Sequence, residues 1–179
     1  MKNFVKKNIL KLKPSATLVI NEKSKELIEK GEKVYKFGFG QSPFPVPESI
    51  VSALKTNAKK KDYLAMQGLP ELREAISKYL NKRTGNNFLK DDILITPGSK
   101  EAMFLMHIAF KGEIILPAPS WVSYAPQANI AENKVHWLQT SRKNNWFPTS
   151  GDLEKKIKSI GKKNIILILN SPNNPSGTT

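Results

Sequence analysis

Three short segments carry residue types from which a binding site could be built. Thr96-Pro97-Gly98-Ser99-Lys100 follows the apolar run Ile93-Leu94-Ile95 and opens a helical pattern. At such a junction the first N–H groups of a helix have no intrahelical partner and share the positive end of its dipole, which suits a phosphate. A plain strand-to-helix turn capped by Ser99 uses the same residues, and three residues alone favour that simpler reading. Pro117-Ala118-Pro119-Ser120-Trp121-Val122-Ser123-Tyr124 follows Ile114-Ile115-Leu116 and brings an indole that could stack on a flat ring. A tryptophan at a strand end is more often core, however. Asn170-Ser171-Pro172-Asn173-Asn174-Pro175-Ser176-Gly177 follows Ile165–Leu169, and its amides could donate to a ligand oxygen. Turn chemistry alone accounts for the same residue types.

Other reactive side chains are few. The chain has no cysteine, which removes disulfides, thiolate metal sites and cysteine nucleophiles together. His107 and His136 are the only histidines, so a multi-histidine metal site is not expected. His107 shares a helical segment with Met103, Leu105, Met106 and Phe110 and reads as a packed or rim histidine rather than a base. His136, in a strand pattern, receives the same reading. Tyr124, one helical turn beyond Trp121, reads as packing, and Arg73 as a surface or salt-bridge residue of its helix.

The elements that must hold these segments follow from local signals. Residues 1–13 form an N-terminal arm. A helix runs from Ser15 toward Lys30 and stops at Gly31. Val34–Phe37 alternates as a short strand. The stretch Gly38–Pro47 (GFGQSPFPVP) has too many prolines and glycines for regular structure, yet its Phe39, Phe44 and Val46 predict packing. Pro47 and Pro70 suit the starts of two helices, Glu48–Asn57 and one with Leu72, Ile76, Tyr79 and Leu80 at helical spacing, closed by Gly85. Beyond Gly85, apolar runs at 93–95, 114–116, 135–138 and 165–169 alternate with helical segments at 99–110, 120–132 and 152–160. That rhythm predicts an α/β domain with a four-stranded parallel sheet. Ile165–Leu169, apolar throughout, is expected to be buried on both faces. All three candidate segments then lie beyond the carboxyl ends of strands, where parallel sheets bind ligands. Because the sequence stops just after a strand of this sheet, a longer protein is expected.

Length and charge bound the function. The 179 residues fit one ordinary domain. At 39% hydrophobic and 25% charged, the chain is too apolar for disorder. The net charge of +14 invites a nucleic-acid or membrane-surface role. However, 26 of the 29 cations are lysines scattered from Lys2 to Lys163, and lysine lacks the fork of arginine that base and phosphate readout favour. A solvated lysine surface is the better reading, and a basic nucleic-acid module ranks low because no groove-reading motif accompanies the charge. The basic start MKNFVKKNILKLK contains no signal-peptide core, and no window approaches the roughly 20 apolar residues of a membrane span. A soluble cytoplasmic protein without membrane or nucleic-acid partners is expected.

In their order and spacing, the segments GFGQSPFPVP, DYLAMQGLPELREAI, ITPGSKEAMF, PAPSWVSYAPQ and NSPNNPSG resemble the class I/II aminotransferases, pyridoxal-phosphate enzymes of fold type I related to aspartate aminotransferase. The last string is a near match to the family's N-x-P-T-G element, with Ser176 in place of Thr. The resemblance covers the chain from about Pro14 onward and implies the N-terminal part of the large domain. Residues 1–47 then comprise the arm, first helix and substrate-contacting loop, and residues 48–179 a partial cofactor-binding domain. Gly40 matches the glycine whose backbone meets the substrate carboxylate. Tyr63 matches the tyrosine that reaches the cofactor phosphate of the other subunit, implying a homodimer. Gly98, Ser99 and Lys100 match the phosphate cup, Trp121 the aromatic stacked on the pyridine ring, and Asn174 the amide bonded to the phenolic oxygen.

The same pattern places the Schiff-base lysine, the aspartate that keeps the pyridine nitrogen protonated and the arginine for the α-carboxylate beyond Thr179. The resemblance thus implies pyridoxal 5'-phosphate as cofactor, amino and 2-oxo acids as substrates and no metal, with this stretch alone inactive. A carbon-sulfur lyase of the same fold is the alternative, because cup, stacking ring and asparagine are shared.

Overall fold

The computed structural model describes residues 4–38, 40 and 42–179; Phe39 and Gln41 of the proline-rich loop and the first three residues of the arm lie outside the described residues. The chain divides into two compact units, one made of residues 1–39 and 102–179, the other of residues 40–101. The helix α5 (Ser99–Ala109) has residues in both.

The first unit holds the sheet. Strands β1 (Glu113–Ala118), β2 (Lys134–Gln139) and β3 (Ile165–Leu167) are all parallel, in the order β2-β1-β3. Glu113 pairs with Lys134 on one side and Ile165 on the other, and Ile115 with His136 and Leu167. Helix α6 (Tyr124–Ile130) connects β1 to β2, and α7 (Ser150–Ile160) connects β2 to β3. Ile114, Ile115 and Leu116 are fully buried, as a middle strand covered on both faces must be. Ile114, Leu116, Tyr124 and Ala128 form the core, and Met103, Phe110, Trp121, Val135, Ile166 and Ile168 pack around it.

Four expectations are corrected here, the first being that Phe44 and Val46 of the 38–47 loop pack: both stand exposed. Among the described residues the sheet has three strands, not four, because Ile93–Ile95 is extended without joining it. The fully buried strand is β1, not the 165–169 run, which has one neighbour, is only half-buried over 165–168 and exposes Leu169. Val34–Phe37 is not a strand: no ladder receives it, and Tyr35 and Phe37 stand exposed.

Local chemistry explains the helix boundaries. The segment expected as a helix from Ser120 starts only at Tyr124, which puts Pro126 in the first turn, where its missing N–H costs no hydrogen bond. Helix α7 begins at Ser150, two residues before the expected start, because the Thr149 hydroxyl accepts from the Asp152 amide and donates to its carboxylate. Two further helices, α1 (Lys7–Leu10) and α2 (Ala16–Glu29), precede the sheet. The arm is fastened to α6: Lys6 pairs with Glu132 at 2.8 Å, and the Asn8 amide donates to the Asn129 carbonyl at 2.8 Å, satisfying an end the helix leaves open.

The second unit holds α3 (Glu48–Asn57), α4 (Pro70–Thr84) and the start of α5 (Ser99–Ala109). Pro70 occupies the first turn of α4, Glu71 lies in that turn, and Lys82 and Arg83 lie in the last, all favourable to the helix dipole. Gly85 closes α4 in the left-handed conformation, its amide donating to the Asn81 carbonyl. The Asn81 side chain then exchanges two bonds with the Phe88 backbone, turning the chain back along the helix.

Candidate cofactor and substrate site

In the 40–101 unit the turn ahead of α5 is exposed from Pro97 to Lys100. Gly98 holds φ +86°, a conformation that side chains oppose, and open space lies where its Cβ would be. Its amide donates to the Thr96 carbonyl at 2.7 Å while the Thr96 hydroxyl donates to the Gly98 carbonyl at 3.0 Å. Ser99 is the first helical residue rather than the cap. The helix-end amides therefore begin at Ser99, on a turn already closed upon itself.

What leads into that turn is tightly held. The Arg73 guanidinium of α4 is buried, against the expectation of a surface residue, although the expected salt bridge is present at 2.8 Å to Asp91. Its Nε also donates to the carbonyls of Lys90 at 3.1 Å and Ile93 at 2.9 Å. Tyr63 is fully exposed, and so is its neighbourhood: Leu64 and Met66 stand in solvent. Gly40 is exposed as well, and a Cβ built on it would meet nothing within 4 Å.

In the other unit, two strand-end loops come together. Trp121, after β1, is half-buried and meets Tyr124 edge to face, ring centroids 5.4 Å apart at 78°. Tyr124 is buried in the core, as expected, and burial pushes its hydroxyl pKa up. The loop after β3 is stapled to the first by Asn173, whose side-chain amide donates to the Pro119 carbonyl at 3.4 Å and the Ser176 hydroxyl at 2.7 Å. Its backbone exchanges bonds with Thr178 and Gly177 at 2.8 and 2.7 Å. Asn173 is buried, and its neighbour Asn174 is exposed. One asparagine thus holds the loop, and the other keeps its amide available. Behind these loops a cavity of ≈ 10 Å³, lined in part by Ser120, Tyr124, Phe147, Ile168 and Asn173, is too small for anything beyond one water.

Residue-type reasoning singled out Asn174 and passed over Asn173 and the buried role of Arg73. The signal for Arg73 was in the pattern: it lies three and seven residues before Ile76 and Leu80, on the apolar stripe of α4. At the opposite, amino ends of the strands, Glu113 is buried between the Lys163 ammonium and the His136 ring, an arrangement no motif announced. Lys163, then His136, hold its carboxyl below the usual carboxylate range. His107 is packed, as expected: it is fully buried, neither ring nitrogen has a partner, and burial holds its pKa below the ordinary imidazole value. Among the described residues no cluster of three histidine or carboxylate side chains could hold a metal, and no helix is long and apolar enough to cross a membrane.

An aspartate aminotransferase of Thermotoga maritima is 34% identical over 179 residues, covering 97% of this chain and 47% of that protein. An asparagine–oxo-acid transaminase of Streptococcus mutans is 32% identical, covering 96% and 44%. The crystal structure of the Thermotoga maritima aspartate aminotransferase superposes with a TM-score of 0.83 at 33% identity, over 96% of this chain and 46% of that one. Aspartate aminotransferase from Thermus thermophilus with maleate gives 0.85 at 29% identity, over 97% and 46%. The chain therefore has the α/β fold of these enzymes and spans about half the length of the curated relatives it matches. The profile described as aminotransferase class I and II matches residues 32–179, and the chain belongs to that family.

Proposed function

We propose that the whole protein is an aminotransferase that moves an amino group from an amino acid to a 2-oxo acid with pyridoxal 5'-phosphate. The observation that carries this reading is the exposed turn Pro97–Lys100, with Gly98 at φ +86° opening a helix, in a chain whose family match runs through it. Each unit offers donor types that such a cofactor uses: residues 40–101 the helix-end amides for an anion, and the sheet-bearing unit a half-buried indole for a ring and an exposed carboxamide on a stapled loop. When bound, that cofactor supplies an electron sink for the Cα carbanion.

The chain's own residues then have distinct tasks. Ser99 and Lys100 offer amides at the positive helix end to the phosphate, and Gly98 supplies the turn. Trp121 stacks on the pyridine ring, its own tilt set by Tyr124. Asn174 donates to the phenolic oxygen and favours its anionic form. Gly40 presents backbone to the substrate carboxylate. Tyr63 extends to the phosphate of a second subunit, so the active unit is a homodimer, in keeping with the exposure of that ring. Residues 1–47 serve as arm and substrate-contacting loop, and residues 48–179 as part of the cofactor domain, in a cytoplasmic enzyme.

Product analysis on the full-length protein tests the reading. A 2-oxo acid formed together with the aminated acceptor supports it. Pyruvate with ammonia and no aminated acceptor assigns a lyase of the same fold instead.

A further inference from the structure

The buried guanidinium of Arg73 has no part in the roles above. It is 6% exposed, on a helix whose other charged side chains reach solvent. Its three bonds hold three residues, Lys90, Asp91 and Ile93, of the segment that returns from α4 toward α5. A planar guanidinium spreads its donors over Nε and the two Nη atoms and so meets two main-chain acceptors and a carboxylate on different sides, whereas an ammonium offers its three donors from one atom. Asp91 itself is 77% exposed, so this partner is replaceable by water, whereas the two part-buried carbonyl bonds are not.

The fastening continues residue by residue. The Ile95 amide donates to the Gln67 carbonyl at 2.9 Å. Gly68 leaves room for the Ile95 side chain: a Cβ there would lie 2.5 Å from Ile95 Cβ. Thr96 and Gly98 close on each other through two bonds, and Ser99 follows as the first helical residue. From Lys90 to Gly98 the path has little freedom, and its anchor is Arg73.

We propose that Arg73 is a positioning residue for the anion-binding turn, fixing through the 90–98 segment the direction in which the Ser99 and Lys100 amides point. This rests on the reading of that turn as the phosphate site. A role in stability alone would weaken folding and leave phosphate recognition by the folded chain unchanged.

The test follows the Ser99 and Lys100 amide signals of the ¹⁵N-labelled full-length protein during titration with pyridoxal 5'-phosphate and, separately, with pyridoxal. The wild-type signals shift saturably with the phosphate ester only. Arg73→Lys and Arg73→Gln lower that affinity about tenfold, as the loss of bonds from a charged donor implies, in chains that still melt cooperatively. Asp91→Asn, which keeps both carbonyl bonds, changes it by less than about twofold. A folded Arg73 variant with wild-type affinity overturns this inference and leaves the phosphate site standing. A wild type whose Ser99 and Lys100 signals ignore the phosphate ester overturns both. Should neither Arg73 variant fold, the Arg73 Nε–H signal of the wild type decides: a shift with the same dissociation constant as Ser99 supports the coupling, and an unmoved signal overturns it.

Discussion

Gly68→Ala probes the fastened segment most sharply, because the structure separates its two costs. Gly68 holds φ +99°, and a Cβ there would sit 2.5 Å from Ile95 Cβ and 2.6 Å from Ile95 Cγ1. Forcing an L-residue into positive φ costs about 1–2 kcal/mol. Pushing a methyl into occupied space adds about 1–3 kcal/mol, and here the obstacle includes a Cβ, which moves only with its backbone. The sum is about 2–5 kcal/mol. Gly85→Ala is the control: φ is +72°, but nothing lies within 4 Å of the added Cβ, so only the first cost of about 1–2 kcal/mol applies. Urea denaturation of both variants, read as midpoint shifts at unchanged slope, measures the difference. Gly68→Ala should be the less stable by at least about 1 kcal/mol. Equal losses would refute the close approach of Gly68 to Ile95 and with it the fixed path of the chain into the Gly98 turn.

The two adjacent asparagines should separate cleanly. Asn173→Ala removes two side-chain bonds from a buried position and costs about 1–3 kcal/mol in denaturation, whereas exposed Asn174→Ala stays within about 0.5 kcal/mol. Glu113, held below the ordinary carboxylate range by Lys163 and then His136, contributes stability that is present above the unfolded carboxylate pKa and lost as pH falls through its lower folded value. An acid melt of Glu113→Gln should therefore depend less steeply on pH below about 4.5 than that of wild type, and identical acid limbs would contradict the assignment. Burial depresses the His107 pKa, so wild-type stability should fall as pH drops from 6.5, where the unfolded imidazole takes its proton first. His107→Leu, which removes two unpartnered ring nitrogens, should be neutral to stabilising and flatten that part of the profile; a loss above about 2 kcal/mol at pH 8 would contradict it.

Features set by neighbours in sequence were legible, and those set by neighbours in space were not. Pro47, Pro70 and Gly85 delimit α3 and α4 because proline and glycine act on their own backbone. Sheet order is a pairing of distant segments. Ile165–Leu169 is as apolar as Ile114–Leu116, yet only the latter has strands on both sides. Ile93–Ile95 has the composition of a strand, but Ile95 bonds to Gln67 beside Gly68 rather than to the sheet. The three ligand-type segments were legible as candidates because a turn glycine, a tryptophan and paired asparagines each follow an apolar run. Which asparagine holds the loop was not, since Asn173 and Asn174 differ only in the direction their side chains take. Arg73 shows the same limit: its charge suggested solvent, and only the apolar stripe of α4 pointed inward.

The central claim is that an anionic cofactor group is received by the amides that open α5. A crystal structure of the chain grown with pyridoxal 5'-phosphate tests it directly. The account predicts phosphate oxygens within about 2.7–3.2 Å of the Ser99 and Lys100 amide nitrogens. A phosphate held instead in the lysine-lined cleft of Lys111, Lys162 and Lys163, with the α5 turn bare, would contradict it.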